Sequence, residues 1–382
     1  MKRCLAWLMA LLFVLTGIAQ AETVTVQEIS KYGNLVLTIT GSEMLARGYD
    51  YGDVVTVQIG DEGYDMPIGS NYSDVDNGSL VCRVLIDGET GEDSVTLAIC
   101  MGDLATASGI AVKTAVEEDP GFVWAYTGGS APEITFVMKE QGGYAAEYQL
   151  RQLKRTNARE DYAHLDDEAF ANFRMITTTG VGKGMLYRSS SPVNPELGRN
   201  AYADAALAAA GVKTIVNLAD SPAEMTGYPG YEATAYAACE KIALSLSVDV
   251  LAEDFQAGLA KGLRFMLTHE GPYLVHCTEG KDRAGFVSAL LECLMGASAR
   301  EVTADYMTTY MNYYGVEAGT EQYSKIEESN IRKLLAEAFG VADIMDSSVD
   351  LAAEAEAYLV ERAGLTAEEV AQLRAKLAGE PQ

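Results

Sequence analysis

The segment with the most informative chemistry is the string His276-Cys277-Thr278-Glu279-Gly280-Lys281-Asp282-Arg283-Ala284-Gly285. It follows an apolar triplet, 273–275, typical of a buried strand, and precedes an apolar run, 286–294, typical of a helix. A loop between such elements directs successive backbone N–H groups and a helix N-terminus at one point, which makes it an anion site. The same field favours the thiolate form of Cys277, the form that acts as a nucleophile.

A cation at a fixed distance from this nucleophile completes a phosphate site. Arg283, six positions after Cys277, can fold back over the loop and bind two phosphate oxygens with its planar guanidinium. His276 is expected to orient the loop through hydrogen bonds. A nucleophile and a bidentate cation around one phosphate-sized hole predict phosphoester transfer through a cysteinyl-phosphate intermediate. The alternative is that Cys277 is a buried, unreactive thiol beside a helix N-terminus.

Composition narrows the choice of function. The chain has 28 Lys and Arg residues against 55 Asp and Glu residues, a net charge of −27. A surface this acidic repels nucleic acid, so no nucleic-acid partner is expected. The histidines and cysteines show no metal-ligand spacing, so no metal and no cofactor are expected. The remaining partner class is a molecule that carries a phosphoester.

The first residues predict export. Lys2 and Arg3 precede an apolar run over 5–18, and Ala19-Gln20-Ala21 has the small–x–small pattern of a signal-peptidase site. We therefore expect residues 1–21 to be a signal peptide and the protein to be secreted, extracellular or periplasmic. No later apolar stretch reaches the roughly 18–20 residues of a membrane span, so stable membrane insertion is not expected.

Patterning divides the rest of the chain in two. Over 22–140, apolar residues alternate in short runs such as 54–59 and 80–86, which predicts an all-β barrel or sandwich whose binding partner is unknown. Residues 141–168 are polar and rich in Arg, which predicts a solvated linker helix, or alternatively a guide for an anionic substrate. Over 169–382, strands alternate with helices, which predicts an α/β domain with a central, mostly parallel sheet.

Two family resemblances support this division. His276-Cys277 with Arg283 has the spacing of the protein tyrosine phosphatase signature, and Gly280-Lys281-Asp282-Arg283 resembles the bacterial secreted tyrosine and phosphoinositide phosphatases. Further similar segments are Asn172-Phe173-Arg174, Leu186-Tyr187-Arg188-Ser189-Ser190, Gly211-Val212-Lys213-Thr214-Ile215-Val216-Asn217-Leu218 with Glu224, and Tyr358-Leu359 with 364–369. The segments 31–36 and 52–55 resemble the C-terminal β-barrel of S-adenosylmethionine hydroxide adenosyltransferases, which implies an architecture and no activity.

The phosphatase resemblance implies roles for individual residues. Cys277 is the implied nucleophile, Arg283 the phosphate clamp, and Lys281 an extra cation at the rim. The substrate-binding set implied around them is His276, Thr278, Glu279, Gly280, Lys281, Ala284, Gly285 and Arg188. Ala284 stands where most relatives have Thr or Ser, which puts hydrolysis of the intermediate in doubt. Glu279 adds a negative charge that should weaken phosphate binding unless Lys281 or Arg188 compensates.

The general acid is open at this stage. Asp282 fits the resembling branch, Asp249 fits the mobile-loop acid of other superfamily members, and Asp220 is a third candidate. The predicted function is an exported cysteine-dependent phosphatase acting on phosphotyrosine, with inositol phosphates or phosphoinositides as further substrates. The alternatives are a catalytically impaired phosphate-binding module of the same fold and a rhodanese-like sulfurtransferase, which the Arg283 spacing disfavours.

The sequence leaves open whether the other cysteines form disulfides. Cys82 and Cys100 fall in neighbouring predicted strands and could form a disulfide or be two small buried residues. Cys239 or Cys293 could act as a resolving thiol that protects Cys277 in an oxidising compartment.

Overall fold

The computed structural model describes residues 22–60, 62–88, 90–116 and 122–379. The predicted signal peptide, residues 1–21, lies outside the described residues. Within them, the chain forms a closed N-terminal β-barrel and a C-terminal α/β region built on a mixed sheet. None of the helices described is both long and apolar enough to cross a bilayer.

The N-terminal region is mainly β-structure. Its elements are β1 (Glu22–Ile29), β2 (Leu35–Leu37), α1 (Gly41–Ala46), β3 (Val54–Ile59), β4 (Glu62–Gly69), β5 (Leu80–Ile86), β6 (Asp93–Ile99), α2 (Leu104–Ala107), β7 (Ala111–Ala115), β8 (Phe122–Tyr126) and β9 (Glu133–Glu140).

The C-terminal region alternates strands and helices before ending in helices alone. Its elements are α3 (Ala145–Arg151), α4 (Asp167–Phe170), β10 (Arg174–Met175), β11 (Leu186–Ser189), α5 (Asn200–Ala209), β12 (Thr214–Asn217), α6 (Pro222–Gly227), β13 (Glu240–Ala243), α7 (Glu253–Thr268), β14 (Tyr273–His276), α8 (Arg283–Leu294), α9 (Ala299–Tyr314), α10 (Glu321–Glu327), α11 (Lys333–Phe339), α12 (Leu351–Ala357) and α13 (Ala367–Ala378).

The barrel closes in the strand order β1-β2-β6-β5-β4-β3-β9, with β7 and β8 forming a separate hairpin. Strand β3 shows why: its alternate residues Val55, Val57 and Ile59 are buried and the intervening ones are not. Side chains of a strand alternate between its two faces, so this pattern gives one apolar face that a closed barrel can bury. The predicted β-rich region is therefore a barrel rather than a sandwich.

The C-terminal sheet has the order β10-β11-β14-β12-β13. Strand β14 lies at its centre and pairs in parallel with β11 and β12, while the two-residue edge strand β10 is antiparallel. The sheet is thus mixed, with four parallel strands. Both faces are covered, because Leu274 packs into one apolar cluster and Val275 into the other.

Two helices fix the phosphate loop that follows β14. In α7, Phe255, Leu259 and Leu263 form the buried stripe that their spacing predicts. Helix α8 is buried along its whole length, which agrees with its apolar sequence on every side. A helix enclosed in this way cannot shift without opening the core, so its N-terminus is a rigid support for the site.

The segment between the two regions differs from a single linker helix. Helix α3 ends at Arg151, and the chain then runs mostly without regular structure to α4. Contacts across the junction hold the regions together: the Asn77 N–H donates to Ser329 O at 3.2 Å, and Asn77 Nδ2 donates to Asn330 O at 3.3 Å. Lys113 of the β7–β8 hairpin also pairs with Asp254 of α7 at 3.3 Å. The barrel is therefore packed against the α/β region.

Candidate active site

The loop 277–282 joins the end of β14 to the start of α8. Its carbonyl groups are hydrogen-bonded to the surrounding protein. Thr278 O accepts from the Ser191 N–H at 3.0 Å, Glu279 O from the Tyr313 hydroxyl at 2.8 Å, and Gly280 O from Arg188 Nη2 at 2.7 Å. Because each peptide N–H points away from the preceding carbonyl, the N–H groups face the opposite side. The loop thus forms the anion cradle that its sequence predicts.

Glycine is required at the centre of this loop. Gly280 has φ +72°, and a Cβ there would lie 2.3 Å from Ser189 O. Any side chain would therefore push the loop off β11. The close approach explains why this position in the string has no side chain.

Cys277 and Arg283 meet at the base of a cleft of about 530 Å³. Cys277 is 3% exposed and Arg283 is 5% exposed. Arg283 Nη1 donates to Leu246 O at 3.1 Å, which anchors the guanidinium over the loop. Burial opposes the charge of Arg283, but neighbouring Tyr32 and Cys277 outweigh burial and raise its pKa. The nucleophile and the clamp of the predicted pair are therefore in one place.

His276 lies under the loop and outside the cleft. Its Nδ1 is 3.2 Å from Cys277 O, and its Nε2 is 3.1 Å from the Tyr236 hydroxyl. A carbonyl only accepts, so Nδ1 carries the proton and Nε2 accepts from Tyr236. Burial lowers the pKa of His276 to about 4, so the ring is neutral near pH 7. It orients the carbonyl of Cys277 rather than contacting substrate.

The negative charge of Glu279 has a partner that the sequence analysis did not identify. Arg155 Nη1 pairs with Glu279 Oε1, and Lys281 Nζ lies 3.7 Å from Glu279 Oε2. Burial opposes the charge of Glu279, but Arg155 outweighs it and holds the pKa of the carboxyl below its usual value. The basic segment of the linker thus supplies a counter-ion to the loop.

The expectation that Arg188 faces substrate is wrong in this geometry. Its side chain is fully buried behind the loop, where Nη1 pairs with Asp305 at 2.7 Å. Its other amino group holds Gly280 O, as described above. Strand β11 lies beside β14, so a long cation on it reaches the outer side of the loop. Arg188 supports the cradle from behind.

Ala284 and Gly285 also lie away from the cleft. Ala284 is completely buried in the apolar core at the second residue of α8. A Cβ on Gly285 would lie 2.6 Å from the ring of Tyr306, so α9 packs closely there. Both residues support α8. The other members of the predicted set, Thr278, Glu279 and Lys281, line the cleft.

Of the three candidate acids, two line the cleft. Asp282 accepts from Lys281 Nζ at 2.6 Å, and Asp220 accepts from the Tyr228 hydroxyl at 2.9 Å. Asp249 caps a turn instead, where its carboxylate accepts from the Leu251 N–H at 3.0 Å. Burial raises the pKa of Asp249. Its neighbour Val248 reaches the cleft, whereas the Asp249 carboxylate does not line it.

The opposite wall of the cleft belongs to the barrel. It consists of three segments, namely Lys31, Tyr32 and Asn34; Asn71, Tyr72, Ser73 and Asn77; and Ile99, Cys100 and Met101. The ring of Tyr32 lies 5.4 Å from the Arg283 guanidinium carbon. Sequence reasoning missed this wall, because these residues are far from Cys277 in the chain and the resemblance of the segment 31–36 implied an architecture and no activity. The only local signal is the tight turn at Gly33, with φ +81°.

The five described cysteines are free thiols. Cys82 pairs in register with Leu97 and lies in the barrel core, whereas Cys100 lies in the cluster against Tyr144. The two therefore point to opposite faces of the barrel wall. Cys239 donates to Val212 O and Cys293 lies in the core. Within the described residues, no group of His, Cys, Asp and Glu side chains could hold a metal ion.

Comparison with solved structures gives matches of low similarity. An uncharacterized conserved protein from Thermotoga maritima is 21% identical with a TM-score of 0.22, over 31% of this chain and 36% of that one. The core catalytic domain of the PP-IP phosphatase SIW14 from S. cerevisiae is 19% identical with a TM-score of 0.27, over 45% of this chain and 95% of that one. No curated protein matches significantly.

Family models match both regions. The model of the SAM hydroxide adenosyltransferase C-terminal domain matches residues 24–117, which confirms the resemblance of the barrel. The model described as the tyrosine phosphatase family matches residues 168–379 and includes the whole loop. Because this second match spans more than half of the chain, the protein belongs to the tyrosine phosphatase family.

Proposed function

We propose that this protein is an exported, cysteine-dependent phosphatase that hydrolyses phosphotyrosine and, as further substrates, inositol phosphates or phosphoinositides. The observation that carries the proposal is the placement of Cys277 and Arg283 around an inward-facing row of backbone N–H groups. Export rests on the leader pattern of residues 1–21 alone. Cell fractionation with and without those residues tests it.

The first half of the reaction transfers the phosphoryl group to the protein. The substrate phosphate binds to the N–H groups of the loop while Arg283 contacts two of its oxygens. The Cys277 thiolate attacks phosphorus, a P–S bond forms, and the P–O bond to the leaving group breaks. We assign the general acid to Asp282, because its carboxyl lines the cleft and can deliver a proton to the leaving oxygen.

The second half returns the enzyme to its starting state. Water attacks phosphorus, the P–S bond breaks, and inorganic phosphate leaves with Cys277 again a thiolate. The water gives its proton to Asp282, now ionised. Lys281 Nζ lies 2.6 Å from the carboxylate of Asp282. Ala284 offers no hydroxyl to the departing thiolate, so this half is expected to be the slower one.

The experiment measures phosphate release from a phosphotyrosine peptide and from 4-nitrophenyl phosphate by residues 22–382 under reducing conditions. Turnover should disappear in Cys277→Ser and persist in Cys239→Ser, because Cys239 is a thiol outside the cleft. Arg283→Ala should lower kcat/KM by about 10³-fold, since it removes the main cation on the transition state. Turnover that survives Cys277→Ser would overturn the mechanism.

A second candidate function is a phosphate-binding module, and the buried, apolar Ala284 favours it. In that case the protein would release about one product per molecule and then stop. Vanadate, a phosphate analogue, would still bind, and Arg283→Ala would abolish that binding. Steady release over many turnovers would rule out the binding module.

A further inference from the structure

The cleft contains little positive charge beyond Arg283. Three cations line it: Lys31, Lys281 and Arg283. Lys31 pairs with Glu224 at 3.3 Å, and Lys281 pairs with Asp282 at 2.6 Å. Arg283 forms no ion pair with a carboxylate of the described residues. One cation is therefore available to a ligand, and its planar guanidinium can bind the oxygens of one phosphate group.

Carboxylates outnumber cations around the same cleft. The five that line it are Glu196, Asp220, Glu224, Glu279 and Asp282. Glu196 is exposed at the mouth, and Asn194 Nδ2 is 3.5 Å from its carboxylate. Glu224, Asp282 and Glu279 are paired with Lys31, Lys281 and Arg155. A second or third phosphate on a ligand would therefore meet Glu196 and Asp220, which form no ion pair among the described residues, and would find no free cation. Like charges placed together in a binding site oppose binding strongly.

The barrel wall supplies neutral hydrogen-bonding groups instead. Asn71 Oδ1 caps the Ser73 N–H at 3.3 Å, which leaves the Asn71 amide N–H groups without a partner among the described residues. The Tyr72 ring stacks with Arg83 at 4.8 Å, and its hydroxyl has no hydrogen-bond partner among those residues. Asn34 is 8% exposed, and its side chain also lines the cleft. These groups suit hydroxyls or amides and not further phosphates.

We propose that the cleft selects a substrate with a single phosphate on an otherwise uncharged, hydrogen-bonding body, and that the barrel supplies the groups that recognise this body. The proposal rests on the proposed function and narrows it. Phosphotyrosine in an uncharged peptide and an inositol monophosphate each have one phosphate on an uncharged, hydrogen-bonding body. Inositol hexakisphosphate and multiply phosphorylated inositol lipids do not.

The first test compares inositol hexakisphosphate with a single-phosphate substrate. We expect kcat/KM for 4-nitrophenyl phosphate and for inositol monophosphate to exceed that for the hexakisphosphate by at least about tenfold, from charge repulsion alone. Turnover of all three at similar kcat/KM would overturn the proposal while leaving the phosphatase function intact. Failure to hydrolyse 4-nitrophenyl phosphate would instead remove the proposed function itself.

The second test changes the charge of the cleft. Glu196→Lys adds a cation at the mouth, and Glu224→Gln frees Lys31 while keeping an amide oxygen for the cap at Ser221. Each variant should strengthen inhibition by inositol hexakisphosphate, relative to KM for 4-nitrophenyl phosphate, by about tenfold. Glu133→Lys changes the net charge as Glu196→Lys does, but on an exposed position of β9 away from the cleft. An equal effect in Glu133→Lys would overturn the proposal.

The third test addresses the barrel. Asn71→Ala should raise KM for inositol monophosphate about fivefold more than KM for 4-nitrophenyl phosphate, which has no hydroxyls, because one hydrogen bond is worth about that factor. A uniform change for both substrates would mean that Asn71 only shapes the loop 70–74. That result would remove the barrel from substrate recognition.

Discussion

The two walls of the cleft are built in different ways. The phosphate wall is one continuous string, from Cys277 to Arg283, between a central strand and a central helix. The barrel wall is assembled from three loops that lie far apart in the chain and that belong to another region. The first wall carries charge and a nucleophile, and the second carries mostly neutral polar groups. The comparison indicates that reaction chemistry is encoded locally here, whereas recognition depends on how two regions pack.

The largest effect concerns the acid on the phosphate wall. Asp282→Asn should lower kcat/KM for phenyl phosphate by about 10²-fold, because phenolate is a poor leaving group that needs a proton. The loss for 4-nitrophenyl phosphate should be much smaller, since that leaving group is stable as an anion. Asp249→Asn should leave the ratio of the two substrates unchanged. Steady-state kinetics at constant pH decides this.

A selective loss with Asp249→Asn instead would assign the acid to Asp249. It would mean that the segment around Val248 moves into the cleft when substrate binds. An equal loss for both substrates with Asp282→Asn would point to the Lys281 pair as the reason that Asp282 matters. The same comparison of the two substrates with Asp220→Asn would then test whether Asp220 is the general acid.

The next effect tests whether the linker contributes to the phosphate wall. Arg155→Ala should raise KM for 4-nitrophenyl phosphate by about tenfold, because Glu279 is left in the loop without its main counter-ion. In the double variant Arg155→Ala/Glu279→Gln, KM should return most of the way to the wild-type value, because the negative charge that needed a counter-ion is gone. If the effects of Arg155→Ala and Glu279→Gln on KM are additive in the double variant, Arg155 acts through packing on Tyr313 instead.

A smaller effect is expected on the barrel wall. Tyr32→Leu should lower kcat/KM by about fivefold, because the ring beside Arg283 contributes a cation–π contact of about 1 kcal/mol. Tyr32→Phe keeps the ring and should retain most of the activity. Tyr64→Leu makes the same change on β4, outside the cleft, and serves as the control. Equal losses in Tyr32→Leu and Tyr64→Leu would assign the effect to barrel stability.

The sequence predicts the phosphate wall better than the barrel wall for a physical reason. Strand β14 and the loop after it follow from an apolar run and from spacing, which are properties of neighbouring residues. Strands β3 and β5 have the predicted bounds for the same reason. The ends of β13, Glu240–Ala243, are set instead by its register with β12, a contact between segments that are distant in the chain.

Contacts between distant residues account for what the sequence could not predict. Arg155 and Glu279 are 124 positions apart, so no periodicity connects them. Arg188 belongs to a segment with a correct family resemblance, but which side of the loop it reaches depends on the strand order of the sheet. The contact of Tyr32 with Arg283 depends on how the barrel packs on α7 and α8, so it could not be predicted from the sequence. These features follow from packing of whole elements rather than from local pattern.

The smallest effect is on stability and involves the histidine beneath the phosphate wall. His276 is neutral in the fold, with its pKa lowered by burial to about 4 from its ordinary value of 6.5. Between these two values the unfolded chain binds a proton that the folded protein does not. Stability should therefore fall as the pH drops from 6.5 toward 4, by up to about 1.4 kcal/mol per pH unit from this group.

His276→Gln isolates this contribution, because other buried groups titrate in the same range. Burial raises the pKa of Glu292 well above its usual value, and this carboxyl opposes the histidine by favouring the fold at lower pH. The difference in urea-unfolding free energy between wild type and His276→Gln should therefore shrink from pH 7 to pH 4.5, while Glu292 affects both proteins equally. A difference independent of pH would mean that His276 has the same pKa in the folded and unfolded protein, and a difference that grows as the pH falls would mean that the ring is charged in the fold. In that second case the Nδ1–H bond to Cys277 O would belong to an imidazolium, and the phosphate wall would have a third cation beneath it, in addition to Lys281 and Arg283.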